Sequence, residues 1–118
     1  MVEYRAYLEE IFADADQLMW QLSAETGRFT FYTFLRHAYQ RHQGAYVRML
    51  HAVLESRGEA YLFNIAHENI GRHLSVAAER AGYEKIKHGA MDVDIWGNPQ
   101  PATVYQRTDH VMEPMWQA

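Results

Sequence analysis

The sequence predicts an α+β domain, mainly α, with four to five helices followed by a C-terminal β-hairpin. Two observations carry the helices. Apolar residues recur three and four positions apart from Tyr4 to Leu54. Glycines at 27, 44, 58, 71 and 82 fall between or after those periodic runs, where a helix stops or bends. The third observation carries the hairpin. After Tyr83 the period drops to two, and the cluster Gly97-Asn98-Pro99-Gln100-Pro101 divides two alternating runs.

The first helix is expected over about residues 3–25. Tyr4, Leu8, Ile11, Phe12, Ala15, Leu18, Met19 and Leu22 share one face, and Gly27 stops it. Residues 29–35, Phe-Thr-Phe-Tyr-Thr-Phe-Leu, alternate like a strand. Thr30 is also a good N-cap, and Phe31, Phe34, Leu35 and Ala38 keep helical spacing. A helix over 31–42 is preferred, because the neighbouring sequence offers no strand partner. Gln43-Gly44 is a break or kink, and 45–57 is a further helix with Tyr46, Val47, Leu50, Val53 and Leu54 on one face. Residues 59–81 read as two short helices meeting near Gly71, the second capped by Ser75, or as one helix bent at Gly71. In the hairpin, Met91, Val93 and Ile95 share a face, and residues 102–107 return. The tail from Thr108 to Ala118 contains Val111, Met112, Met115 and Trp116, a pattern that docks.

One domain of 118 residues is therefore expected, with an acidic N-terminal helix in 1–27, a core in 45–107 and a docking tail in 108–118. At 48% hydrophobic and 22% charged, the chain has the balance of a globular protein rather than a disordered one. With no cysteine, disulfides, thiolate metal sites and a cysteine nucleophile are excluded. No apolar run approaches the roughly 20 residues that cross a bilayer. The start, MVEYRAYLEE, lacks the basic and apolar regions of a signal peptide. A cytoplasmic protein without membrane contact is expected. The net charge of −4 divides unevenly: residues 1–27 carry six acids and one Arg, and 28–87 carry nine Lys/Arg and five acids. A basic middle between acidic ends permits an anionic partner.

The helical pair in 62–83 and the hairpin in 91–107, with Asn98-Pro99 at its tip, resemble the winged helix-turn-helix family. The core at 45–107 is in that sense winged-helix-like. The resemblance implies double-stranded DNA binding in transcriptional or replication control, without a cofactor. In such proteins the second helix of the pair enters the major groove and the wing touches the backbone or minor groove. By position, Arg72, His73, Ser75 and Arg80 belong to that helix, and Lys85, Lys87 and Arg107 flank the wing. Arg and Lys neutralise phosphates, Arg grips a guanine edge with two hydrogen bonds, and Ser donates to phosphate. The alanine-rich second helix and the acids Asp92 and Asp94 on the wing count against it.

The alternative is a protein-interaction module or inhibitor acting through Glu9 and Glu10 of the acidic helix and through Trp20 and Trp116, with homodimerisation through the first helix or the tail. No catalytic site is expected. Ser23, Ser56 and Ser75 lack a nucleophile-elbow context, and alternating Asp92 and Asp94 read as a solvated strand face. No histidine pair has metal-ligand spacing on one helix; only His37, His67, Glu68 and His73 assembled in space would make a site.

Overall fold

A computed structural model describes residues 4–108. Five helices and three strands follow in the order α1 (Arg5–Ile11), α2 (Ala15–Leu22), β1 (Arg28–Thr30), α3 (Phe31–Arg41), α4 (Gln43–Arg57), α5 (Leu62–Arg80), β2 (Tyr83–Val93) and β3 (Pro99–Arg107) among those residues. The fold is α+β and mainly α, with the strands concentrated at the C-terminal end. No helix among the described residues is long and apolar enough to cross a membrane.

The first apolar stripe forms two helices where one was expected. At the break, the Ala13 N–H donates to the Glu10 carbonyl and the Ala15 N–H to that of Phe12, so the ladder tightens to three-residue steps. Asp14 there accepts from Arg41 (2.5 Å) and from His42 (2.8 Å) at the far end of α3. The kink lets Phe12 lie against both Phe34 and His73 while Ile11, Leu18 and Met19 enter the core. Tertiary packing has overridden a strong local helix pattern.

The ambiguous segment 29–35 resolves as strand and helix in succession. Thr30 ends β1 in extended geometry and caps α3, accepting from the Thr33 N–H at 3.1 Å. The strand was not expected because its partner is distant in sequence: β1 pairs antiparallel with β3, with Phe29 opposite Tyr105. His42 alone joins α3 to α4. The buried face of α4 is Ala45, Tyr46, Met49, Ala52 and Val53, whereas Val47 and Leu54, expected on it, are exposed.

Residues 62–80 make one continuous helix, so no turn forms at Gly71 and Ser75 caps nothing. The two-helix reading is corrected by the spacing of Ala66, Ile70, Leu74 and Ala78. These recur every fourth residue across Gly71 and are all fully buried. Ser75 donates within the helix to the Gly71 carbonyl. The turn falls instead at 58–61, between α4 and α5, where Gly58 (φ 82°) and Tyr61 (φ 64°) take left-handed conformations.

The sheet is antiparallel in the order β1-β3-β2. Its hairpin was expected, but both strands run longer, and the turn centres on 94–98. Met91 and Val93 do not face the core: they oppose Pro101 and Pro99, and all four are exposed. The β2–β3 register shifts between Ile86 and Ala90, where His88 is left-handed (φ 52°). Gly89 is required at that bulge, since a Cβ would lie 2.9 Å from Val104 Cγ2. The sheet joins the helices through Phe29, Tyr83 and Tyr105, which pack together at 5.3 Å, and through Ser23, fully buried and 2.7 Å from the Tyr83 hydroxyl.

Candidate nucleic-acid interface

Between the hairpin and α5 lies an open groove of about 510 Å³. Three elements wall it. Helix α5 contributes His67, Glu68, Arg72 and Ser75, the start of α3 contributes Phe31 and Tyr32, and the hairpin contributes Lys85, Asp94, Trp96, Gln100 and Tyr105. Gly71 lies on the floor, where a Cβ would meet the Phe31 ring at 3.5 Å, an ordinary contact. The helical period explains the α5 set, since residues 68, 71, 72 and 75 share one face.

His67 anchors one wall. Its Nε2 lies 2.7 Å from the Tyr46 hydroxyl, and its ring neighbours those of Phe63 and Trp96. Burial drives its pKa down to about 4, against a smaller opposing pull from Asp94. The imidazole is therefore neutral near pH 7. Burial likewise pushes the Tyr46 phenol up to about 12, so the bond joins two uncharged groups. Trp96 stands edge-on to Phe63, with centroids 5.2 Å apart, and stays 58% exposed. On the opposite wall the Ser75 and Tyr105 hydroxyls bond at 3.1 Å. Burial raises the Tyr105 pKa, and the Ser75 bond opposes that rise.

The charges divide into committed and uncommitted. Arg72 donates to Glu68 (2.7 Å) and to Asn69 (3.1 Å), an i,i+4 pair along the helix surface. Lys85 makes no ion pair among the described residues. The two wing acids, which counted against an anionic partner, are turned inward. Asp94 is only 8% exposed and accepts from the N–H groups of Trp96 and Asn98, closing the hairpin turn. Asp92 accepts from the hydroxyls of Thr30 and Thr33 and from the Val93 N–H, with Arg36 at 3.6 Å. Partial burial raises its pKa, but these bonds and the Arg36 charge outweigh it and hold the carboxylate below its usual range. The expectation of a solvated acidic face on this strand is thereby corrected.

Of the residues expected to contact nucleic acid, Arg72, Ser75 and Lys85 meet in this groove. His73 does not: it points to the other side of α5, 4.4 Å from the Phe12 ring, and burial lowers its pKa. Arg80 is exposed at the C-terminal end of α5, and Lys87 is exposed beside the bulge. Arg107 lies over the Trp20 ring at 4.4 Å, which brings together a residue expected at DNA and one expected at a protein interface. Of the acidic pair, Glu10 is bonded to Arg48, and Glu9 is exposed. Trp116 lies outside the described residues, as does nearly all of the docking tail. His37, His67, Glu68 and His73 are not assembled, each facing a different partner. No group of three or more metal-binding side chains occurs among the described residues.

Sequence reasoning missed Phe31, Tyr32, His67, Trp96, Gln100 and Tyr105 as groove residues. One signal was present: Trp96 directly precedes the Gly97-Asn98-Pro99 turn, and a large ring beside a turn cluster is rarely core. The rest depend on β1 pairing with β3, which no local pattern announces. The chain matches no protein-family model, no curated protein and no solved structure.

Proposed function

We propose that this protein binds DNA, as a cytoplasmic regulatory protein, through the groove between α5 and the hairpin. The observation that carries this reading is the convergence of Arg72, Ser75 and Lys85 with the rings of Tyr32 and Trp96 between α5 and the hairpin. Cations, hydroxyl donors and exposed rings on one surface are what phosphate, sugar and base require. The inward commitment of Asp92 and Asp94 supports it further, because the hairpin then presents Lys85, Lys87 and His88 without exposed acids beside them in β2 beyond Glu84. The helical pair on which the winged-helix resemblance rested is not formed, because residues 62–80 are one helix, so the reading rests on the groove.

The test is retention of DNA in a gel shift at low salt, with affinity falling steeply as salt rises. The double variant Arg72→Ala, Lys85→Ala is expected to bind roughly ten-fold more weakly and to flatten the salt slope by one to two. If no DNA of any form is retained at low salt, the proposal fails.

One observation favours a second reading, a protein-contact module. Met91 and Val93, opposite Pro101 and Pro99, make an exposed apolar face on the distal hairpin, and Met91 is 66% exposed. Homodimerisation through that face would give a mass that rises with concentration, and Met91→Lys would abolish the rise. A constant monomer mass over micromolar to millimolar protein sinks the dimer.

A further inference from the structure

We infer that the groove is a seat for a single unpaired nucleotide, so that the DNA this protein selects is one that offers an unstacked base. The inference rests on the DNA-binding reading and narrows it. Concavity is the first argument. Arg72 stands at the open rim of the recess between α5 and the hairpin, its side chain 66% exposed, and Ser75 lines the recess, already bonded to Tyr105 across it. Trp96, Gln100 and Lys85 of the hairpin flank the α5 face that carries Arg72, so a ligand that meets all of them sits in the recess rather than along a bare helix. The ligand must enter the recess, and a base inside a duplex cannot do so without leaving its stack.

The walls supply what an extruded nucleotide needs. At about 510 Å³ the recess lies in the range of sites for small molecules rather than for helices. Trp96 offers an exposed ring whose orientation Phe63 fixes edge-on. Base–aromatic stacking tolerates any base, because each has a π-face. Neutral His67 behind Trp96 adds no charge. Gln100 and Asn64 carry amides, which both donate and accept and so suit base edges. Charge sets the number of phosphates. Arg72 is already paired with Glu68, which leaves Lys85 as the groove cation without an ion-pair partner among the described residues. With the Asp94 carboxylate also on the lining, the groove holds no surplus of cations for the several charges of a nucleoside triphosphate, and Lys85 can meet one phosphodiester.

Fluorescence anisotropy with labelled probes tests this. The probes are a blunt duplex, the same duplex with one extrahelical nucleotide, and the corresponding single strand. The extrahelical and single-stranded probes are expected to bind at least ten-fold tighter than the blunt duplex. Trp96→Ala should erase that preference, bringing the three probes to within about two-fold of one another, and Trp96→Phe should restore part of it. A thermal melt of each variant separates lost binding from lost folding. Equal affinity for all three probes, or a preference untouched by Trp96→Ala, overturns the inference while DNA binding stands. No binding to any probe overturns both.

Discussion

The two sides of α5 pair their polar residues to different degrees. Toward α1 to α4, charged groups are matched within the chain: Asp14 holds Arg41 and His42, Glu10 holds Arg48, and Arg107 covers Trp20. His73, on that side, is packed against Phe12. Toward the hairpin, Glu68 holds Arg72 and Arg36 lies by Asp92, but Lys85 has no ion-pair partner among the described residues, and Trp96 and Met91 stand in solvent. The difference is one of degree, a single groove cation left without an ion pair among the described residues on the hairpin side. Surface that serves stability consumes its own charges, whereas surface held in reserve for a ligand keeps them available.

Substitutions break this contrast in order of size. Ile70→Ala, at the fully buried centre of α5, is expected to cost about 2–5 kcal/mol in urea unfolding, through lost burial and the cavity left behind. Next comes the His67–Tyr46 pair, which belongs to both sides. Tyr46→Phe leaves the His67 nitrogen without its partner and should cost about 1–3 kcal/mol. The same histidine sets a pH dependence. Its folded pKa of about 4 lies below its unfolded value, so the unfolded chain binds more protons in between. Its contribution to stability is complete above about pH 6.5, falls as pH drops, and bottoms out below pH 4, with a swing of at most about 3 kcal/mol. His67→Gln, which does not titrate, should remove that part of the urea-midpoint profile. If the two profiles run parallel between pH 4 and 6.5, the buried neutral histidine is wrong.

Smaller effects sharpen the comparison from both ends. Asp14→Asn should cost about 1 kcal/mol at pH 7, since the carboxylate is 33% exposed and its partners Arg41 and His42 are 35% and 19% exposed. The wild-type carboxylate is held below its usual pKa first by its hydrogen bond to His42 and then by Arg41. This contribution is present near neutral pH and is lost as pH falls through the lowered value. Trp96→Ala should change stability by less than about 0.5 kcal/mol, because the ring is mostly in water. A large loss of stability there would mean that the open face also holds the fold together.

Local chemistry made much of this fold readable, and distance hid the rest. The cap at Thr30, the helix beginning at Phe31 and the hairpin turn at Gly97-Asn98-Pro99 each depend on a few adjacent residues. The kink at 12–14 depends on Arg41 and His42, nearly thirty positions away, and β1 depends on β3 more than seventy positions away. Gly71 misled because a glycine is permitted in a turn without demanding one. The four-residue spacing of buried side chains on either side of it was the stronger signal. For the groove, Arg72, Ser75 and Lys85 were readable as cation and donor chemistry. Their aromatic companions were not, since they come from three elements that meet only once the sheet has formed.

The bulge at 87–89 has a consequence for how the protein behaves in company. β2 lies at the edge of the sheet, and an eleven-residue edge bearing Ile86, Met91 and Val93 is a template for a strand from another molecule. The left-handed turn of His88 interrupts that edge midway, and Lys85 and Lys87 put charge on its first half. Neither half is long or flat enough to nucleate a stack. The bulge thus works against strand-to-strand joining between copies of this chain, by breaking the edge into two short halves.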